Sequence, residues 1–374
     1  MSRLSCGHYY NYRSFLKKIN MMINNKIKKR PLILSLLALA ISGQALGMSK
    51  TPDLKPDVEG IEAAGKIVRF IAVGDTGTGK AGQFQVANAI EKVCAAQGCD
   101  FALGLGDNIY ESGVESVDDA QWLDKFEKPY QNLDFPFYMT LGNHDNSYFA
   151  GGGLTNKKGE HQVDYHYKEN RFSDKWNMPS RYYHFSAPLA DNAPLVDFFS
   201  LDSNPLAGLS DIDIDYWQLP YKKEQAKWFD ETIKSSLGKW KIAFAHHPYM
   251  SNGSHGNAGL YDYVAGLGKS YKDFLEAEVC NRVDVIIAGH DHDMQWLRPV
   301  QTCGKTFHMV SGAGAKSRSF SNPDRNQSYW QADEALGFFY IEIEGDEFRG
   351  TAYQLNADGE YSIAHQQTIT RNAD

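Results

Sequence analysis

The chain contains the stretch Val285-Ile286-Ile287-Ala288-Gly289-His290-Asp291-His292, in which an apolar run ends at a glycine and two histidines follow. A short run of aliphatic residues of this kind predicts a buried β-strand, and the glycine permits a sharp turn after it. Ligands of open α/β sheets collect beyond the carboxyl ends of the strands, so the two histidines stand where binding or catalysis is usual. A His-x-His pair alone is weak evidence, because ordinary loops and core pairs have the same pattern.

Four earlier predicted strands also end in polar side chains that bind metals. The strands are predicted at 66–73, 101–105, 135–141 and 240–245, and they are followed by Asp75, by Asp107 with Tyr110, by Asn143 and by His246. Together with His290 and His292, these residues form a mixed set of oxygen and nitrogen ligands, which favours Fe, Zn or Mn over Ca²⁺ or Mg²⁺. Seven ligands are too many for one tetrahedral ion, whereas two ions that share a bridging carboxylate use them all. Each strand end by itself also fits an ordinary turn, but five repeats of one design favour a metal centre.

The chain has 374 residues, of which 42% are hydrophobic and 22% are charged, as is usual for a globular protein with a large core. Residues 1–47 differ from the rest, because basic residues between Lys17 and Arg30 precede a short apolar block at 31–41. This order is typical of a secretory signal peptide and predicts a secreted or periplasmic protein. A single membrane anchor is the alternative, although the block is short for a span. We expect a flexible segment at 48–65 and one domain over 66–374.

The charge of the chain limits its partners. Residues 1–47 contain eight Lys and Arg but no Asp or Glu, so the net charge changes from −8 to −16 when they are left out. Such an acidic surface repels nucleic acid and anionic lipid, unless bound metal cations make one pocket positive. We therefore expect no nucleic-acid partner and no stable membrane association after the signal is cleaved.

The cysteines indicate disulfides. Without Cys6 in the leader, four cysteines remain, and an even number in an exported protein favours disulfide bonds with three alternative pairings. We favour Cys94–Cys99 and Cys280–Cys303, of which the second would clamp the segment that carries the two histidines. Four free buried thiols are the alternative.

The remaining pattern is that of alternating strands and helices followed by antiparallel strands. Amphipathic helices are predicted around 86–93, at 224–237 with Ala226, Phe229, Ile233 and Leu237 on one face, and at 271–279. A further strand is predicted at 195–201, and antiparallel strands with tight turns at 307–369. The segment 146–195 is rich in glycine and aromatic residues and reads as a loop. Its aromatic side chains would either stack on a substrate or pack over the sheet.

The complete motif set resembles the binuclear metallophosphoesterases. It comprises Gly74-Asp75-x-Gly77, Gly106-Asp107-x-x-Tyr110, Gly142-Asn143-His144-Asp145, Ala243-x-x-His246 and Gly289-His290-x-His292. The tyrosine of the second motif resembles the purple acid phosphatases, especially the small tartrate-resistant type. The likeness runs from about Lys66 to His365 and includes the segments 175–179 and 310–314. Ala243 departs from the usual Val of the family, at a position that concerns packing.

This resemblance implies a fold and a ligand set. The fold is a four-layer α/β/β/α sandwich of two mixed β-sheets, the calcineurin-like metallophosphoesterase fold. The family pattern implies an Fe(III) site of Asp75, Tyr110, His292 and the bridging Asp107. It implies a second site for divalent Fe, Zn or Mn, formed by Asp107, Asn143, His246 and His290. His144 and His255 match the phosphate-contacting and proton-donating histidines of the family.

The implied function is that of an exported acid phosphatase, which hydrolyses small phosphate monoesters by attack of a metal-bound hydroxide. Two metal ions about 3.5–4 Å apart can clamp a phosphate and activate water. A trivalent ion should lower the pKa of bound water further than Zn²⁺, which already reaches about 7. Two alternatives are a phosphodiesterase or nucleotide pyrophosphatase on the same scaffold, and a non-enzymatic surface protein that keeps the metals for structure. The sequence leaves the substrate and the divalent metal open, and it is compatible with a monomer.

Overall fold

The computed structural model describes residues 66–148, 153–188 and 193–371, all of them within the unit Gly60–Asp374. The predicted signal peptide and the segment at 48–65 therefore lie outside the described residues. The strands of the described part, in chain order, are β1 Ile67–Val73, β2 Phe101–Gly104, β3 Phe137–Met139, β4 Trp176–Asn177, β5 Tyr183–Ala187, β6 Val196–Ser200, β7 Trp240–Phe244, β8 Val285–Ala288, β9 Met294–Leu297, β10 Phe307–Ser311, β11 Ser328–Ala332, β12 Gly337–Glu344, β13 Glu347–Leu355 and β14 Tyr361–Thr370.

The strands form two mixed sheets of seven strands each. The first has the order β14-β13-β12-β1-β2-β3-β4 and the second the order β11-β9-β10-β8-β7-β6-β5. β1 to β4 run parallel, as do β6, β7, β8 and β10, whereas β12 to β14 are antiparallel. The prediction of antiparallel strands for the tail is wrong at its start, because β10 pairs parallel with β8 and antiparallel only with β9.

Five α-helices lie in the described residues, and short 3-10 and π-helical turns accompany them. The α-helices are α1 Ala81–Gln97, α2 Glu160–Tyr167, α3 Asn204–Ala207, α4 Gln218–Ser235 and α5 Lys269–Phe274. The 3-10 turns are Asn156–Gly159, Ile214–Tyr216, Tyr261–Tyr263 and Gln301–Cys303, and the π-helical turns are Leu123–Glu127 and Leu275–Val279. The first predicted helix is confirmed, with Val86, Ile90 and Val93 on its buried face.

Two predictions about local structure are wrong. The segment 146–195 is not only loop, because it contains α2 and the strands β4 and β5. β5 forms by antiparallel pairing with β6, a contact between strands that no local periodicity reveals. α4 begins six residues before the predicted start. Pro220 is compatible with this start because it lies in the first turn of the helix, where a missing N–H costs nothing. Leu237 lies beyond the helix and is 74% exposed, so it does not extend the apolar face.

The two sheets pack face to face around an aromatic core. The ring of Phe198 on β6 meets Phe70 on β1 at 5.2 Å and Phe101 on β2 at 5.3 Å, both edge to face. The alternation of each strand decides which layer receives a side chain. Phe198 therefore faces the other sheet, whereas the adjacent Phe199 packs against Phe229 of α4 on the outer side. With α1 packed into the core of the first sheet, the layers are α/β/β/α, as expected.

Both predicted disulfides are present. Cys94 at the end of α1 is bonded to Cys99, and Cys280 is bonded to Cys303. The second bond closes the segment that contains β8 and β9. It thereby restrains the chain on both sides of the two histidines.

Candidate metal centre

The candidate centre lies where the carboxyl ends of five parallel strands from the two sheets meet. The first sheet supplies β1, β2 and β3, and the second supplies β7 and β8. The two sheets pack face to face, and these strand ends lie at the same edge of the packed sheets. The residues that follow the strands are therefore close in space. The structure brings all seven predicted metal ligands together in this place.

Three of the predicted ligands have a left-handed backbone. Asp75, Asp107 and His290 have φ values of 59°, 51° and 71°, and each directly follows a glycine. A left-handed conformation costs a residue other than glycine about 1 kcal/mol or more, and such strain concentrates at functional sites. Gly289 itself is needed for close approach rather than for a positive φ. A Cβ atom there would lie 2.6 Å from Asp75 Oδ2.

One group of predicted ligands consists of Asp75, Tyr110 and His292. The Tyr110 hydroxyl donates to Asp75 Oδ1 at 3.0 Å and lies 3.1 Å from His292 Nε2. His292 Nε2 is 3.4 Å from the same Asp75 oxygen. The candidate ligand atoms of these three side chains therefore face one another in a buried space. The other nitrogen of His292, Nδ1, has no hydrogen-bond partner among the described residues.

A second group consists of Asn143, His246 and His290. His246 Nε2 lies 2.9 Å from Asn143 Oδ1 and 3.1 Å from His290 Nδ1. Its other nitrogen, Nδ1, lies 2.8 Å from the carbonyl oxygen of Leu105, which fixes the ring so that Nε2 faces the group. Asp107 Oδ1 is 3.4 Å from His246 Nε2, and this carboxylate lies between the two groups.

The charges of the centre depend on Asp107. Burial alone would raise the pKa of the Asp107 carboxyl, but the neighbouring His246 and His144 and the hydrogen bond from the His144 N–H outweigh it and lower this pKa to about 2. Burial and then the charges of Asp107 and Asp75 raise the pKa of Tyr110 well above its ordinary value. A phenolate at Tyr110 therefore requires a strong positive charge beside it.

The two imidazoles of the second group differ in how readily they take up a proton. Burial, and then the positive charges of His255, His247 and His246, lower the pKa of His290 well below its ordinary value. Burial would also lower the pKa of His246, but the carboxylates of Asp107 and Asp75 raise it. His290 is thus neutral, and a cation placed between these groups would replace the proton on His246.

This donor set fits metal ions. Oxygen atoms of Asp75 and Asp107 and a nitrogen of His246 all lie within 4.8 Å of one another, and the three residues are buried. Buried carboxylates are costly unless they are paired or bind metals. The full set of two carboxylates, one phenol, one amide and three imidazoles contains the ligand types of Fe, Zn and Mn sites.

His144 lies at the edge of this centre. Its Nε2 atom is 3.9 Å from Asp107 Oδ2, and its ring centroid is 4.5 Å from that of Tyr110. Its Nδ1 atom lies 2.6 Å from the carbonyl oxygen of Glu111, so Nδ1 donates and Nε2 is left to face the centre.

His255 lies on the other edge. Its ring stands 4.0 Å from that of His290, and its Nδ1 atom is 2.6 Å from Asp262 Oδ1. Burial would lower the pKa of His255, but the hydrogen bond to Asp262 and the charges of Asp291 and Asp262 raise it. His255 is therefore protonated more readily than an ordinary histidine, and Asp262 orients the ring.

Sequence reasoning gave no role to Asp145, which holds two of the motifs together. Its buried carboxylate accepts hydrogen bonds from the backbone N–H groups of Gly142, Asn108 and Ile109 at 2.8, 3.1 and 3.0 Å. Its position directly after His144 in the third motif was the available signal. Burial and then the charge of Asp107 raise the pKa of Asp145 to about 6.

A second network missed by sequence reasoning fixes the loop after the third motif. The buried Arg181 guanidinium donates to Asp202 Oδ2 at 2.7 Å, to the Asn156 carbonyl at 2.8 Å and to Asn146 Oδ1 at 3.0 Å. Tyr183, two residues after Arg181, packs over the sheet, since it is buried and its hydroxyl donates to the Met139 carbonyl at 2.8 Å. This result favours packing over substrate stacking for that part of 146–195.

None of the helices in the described ranges is long and apolar enough to cross a membrane. Residues 68–294 match the family model described as Calcineurin-like phosphoesterase. The chain is 28% identical over 327 residues to tartrate-resistant acid phosphatase type 5 of Homo sapiens. This alignment covers 80% of this chain and 90% of that protein. It is 27% identical over 305 residues to purple acid phosphatase 3 of Arabidopsis thaliana, with 77% and 75% covered. A solved structure described as "GAP50 the anchor in the inner membrane complex of Plasmodium" has a TM-score of 0.62 at 19% identity, with 82% of this chain and 90% of that chain covered.

Proposed function

The chain belongs to the calcineurin-like phosphoesterase family and is a hydrolase, and we propose that it is an exported acid phosphatase that cleaves small phosphate monoesters. The observation that carries this proposal is the pair of buried ligand groups with Asp107 between them. The sequence similarity to acid phosphatases over most of the chain supports it.

The residues of the two groups would hold a binuclear centre. Asp75, Tyr110 and His292 would bind Fe(III), and Asn143, His246 and His290 would bind divalent Fe, Zn or Mn, with Asp107 shared by both. When bound, two such ions supply positive charge that stabilises the phosphoryl group in the transition state, and they activate water. The phenol of Tyr110 supports Fe(III) as one of them, because a phenolate needs so strong a Lewis acid in acid.

The two histidines at the edges perform the remaining steps. His144, with Nε2 facing the centre, binds a phosphate oxygen by donating a hydrogen bond. His255 donates a proton to the leaving oxygen through Nε2, because Asp262 holds its Nδ1. The role of His255 is most effective in mild acid, where its imidazole is a cation.

Export is supported by two features of the chain. The order of basic, apolar and small residues within 1–47 is that of a signal peptide. The two disulfides favour an oxidising compartment, since cytosolic proteins rarely keep them. The Plasmodium protein is described as an anchor, but a likeness at 19% identity concerns the fold alone.

The test compares an aryl phosphate monoester with the corresponding diester, using mature metal-loaded protein from about pH 4 to pH 9, on both sides of the ordinary histidine pKa of about 6.5. We expect a higher kcat/KM for the monoester and a maximum below neutrality. Asp107→Asn should lose both ions and lower kcat/KM by about 10³-fold, because it removes the shared ligand.

The exposed Asp134→Asn serves as the matched control and should behave like the wild-type protein. A higher kcat/KM for the diester would replace the monoesterase proposal by a phosphodiesterase. Absence of turnover for both esters, with both metals bound, would reject the enzymatic proposal in favour of a binding protein. A full metal complement in Asp107→Asn would contradict its bridging role.

A further inference from the structure

Arg318 is a cation at the edge of the candidate centre that the steps above do not use. Its backbone N–H donates to the carbonyl oxygen of His292 at 2.9 Å. Its Nη1 atom lies 3.3 Å from His255 Nε2, the nitrogen that faces away from Asp262. Arg318 is exposed, so a bound substrate can reach its guanidinium.

The loop that carries Arg318 is held in place beyond it. Ser319 Oγ donates to Glu334 Oε1 at 2.5 Å, and the Phe320 N–H donates to Asp333 Oδ2 at 2.7 Å. Together with the bond to His292, these contacts fix the backbone on both sides of the guanidinium. The anchored backbone reduces the freedom that the loop itself loses when an anion binds Arg318.

The charge of Arg318 is less compensated than that of its neighbour Lys316. Lys316 Nζ lies 3.6 Å from Glu111 Oε1 and 3.4 Å from the centroid of the Tyr110 ring. In the described part of the chain, Arg318 has no carboxylate oxygen within 4.0 Å, and Asp262 binds the opposite nitrogen of His255. An arginine stays charged at every pH at which proteins fold, so this cation is permanent.

The position next to His255 indicates which part of a substrate Arg318 would meet. If His255 protonates the leaving oxygen, as in the proposed function on which this step rests, groups near its Nε2 atom face the leaving group. We propose that Arg318 is a specificity-determining residue that binds a second anionic group on the leaving group. The guanidinium suits a carboxylate or phosphate, which it can bind through two parallel hydrogen bonds. The favoured substrates are then phosphate monoesters whose leaving group is itself an anion.

Binding of stable analogues tests this directly. Isothermal titration of the metal-loaded protein gives dissociation constants for 3-phosphonopropionate, for 1,3-propanediphosphonate and for propylphosphonate, which lacks the second anion. The variants are Arg318→Gln, Arg318→Lys and, as a distant control for loss of one positive charge, Arg349→Gln. Arg349 lies on β13 and pairs with Glu342 and Glu347.

We expect the wild-type protein to bind the doubly anionic ligands more tightly than propylphosphonate. Arg318→Gln should reduce that preference by about 10- to 100-fold, the value of a hydrogen-bonded ion pair. Arg318→Lys should keep part of it, since an ammonium is a cation without the planar fork. Arg349→Gln should keep all of it. The analogue that loses more affinity in Arg318→Gln identifies phosphate or carboxylate as the second anion.

Two results would overturn the inference. The first is a wild-type protein without preference for the doubly anionic ligands. The second is a preference that is unchanged in Arg318→Gln; if all three ligands lose affinity equally in that variant, Arg318 only positions His255. Selective binding without turnover of any phosphate ester would reject the proposed activity and keep the anion site. Turnover together with an unchanged preference would reject Arg318 alone.

Discussion

His308 makes the stability of the protein depend on pH in the range where the enzyme is proposed to act. It lies on β10 between Ile286 of β8 and Leu297 of β9, and only 2% of its surface is exposed. Its Nε2 atom has no hydrogen-bond partner among the described residues, and its ring stacks on Tyr249 at 5.3 Å. Burial, without any contribution from a charged neighbour, lowers the pKa of His308 to about 3.

The magnitude follows from linkage. Above about pH 6.5 the imidazole is neutral in both the folded and the unfolded chain, so it adds no pH dependence there. Below that value the unfolded chain takes up a proton that the folded chain refuses down to about pH 3, so stability falls with acid by about 1.4 kcal/mol per pH unit. At about pH 4.5 this one residue costs about 2.7 kcal/mol.

The perturbation is His308→Phe, which removes the titrating group and keeps a ring beside Tyr249. Urea unfolding of the wild-type and variant proteins at about pH 7.5 and about pH 4.5, on both sides of the ordinary histidine pKa, gives the change in unfolding free energy for each. Both proteins have the same metal ligands, so the loss of metal affinity in acid cancels in the difference. We expect the wild-type protein to lose about 2.7 kcal/mol more than the variant between the two pH values.

His308→Gln is a second non-titrating variant, in case the larger phenylalanine ring disturbs the core. A difference between wild-type and variant proteins below about 0.5 kcal/mol for both substitutions would refute the reasoning. It would mean that His308 is hydrated or paired in the folded protein and keeps a nearly ordinary pKa.

Three other substitutions test the site and its support. Tyr110→Phe should abolish the visible charge-transfer colour of the iron-loaded protein, and absorption that persists would argue against this ligand. His255→Ala should keep both metals, measured by elemental analysis, and lower kcat by about 10²- to 10⁴-fold, as loss of a general acid does; loss of metal would show that its role is misassigned. Arg181→Met should destabilise the fold by about 3–5 kcal/mol in urea unfolding, because it leaves Asp202 buried without its cation. A loss below about 1 kcal/mol would mean that this buried pair contributes no more to stability than a solvent-exposed salt bridge does.

The strands that carry the predicted ligands were largely predictable, and the reason is local. A buried strand needs a continuous apolar run, and β1, β2, β7 and β8 have one that ends within two residues of the predicted end. Because parallel strands align their carboxyl ends, the residues after them converge without further information. The disulfide between Cys280 and Cys303 was also predicted, but as one of three possible pairings of the four cysteines.

The sequence by itself thus determined which residues face one another at the centre, since apolar periodicity and strand direction are properties of short segments. Only the tertiary structure decided which residues support them. Asp145, Arg318 and His308 act through partners distant in the chain, and no local pattern encodes a contact of that kind. The environment of a charge depends on burial and on neighbours brought together by folding. Burial lowers the pKa of both His308 and His290, but of these two only His290 has other imidazoles around it, and their charges lower its pKa further.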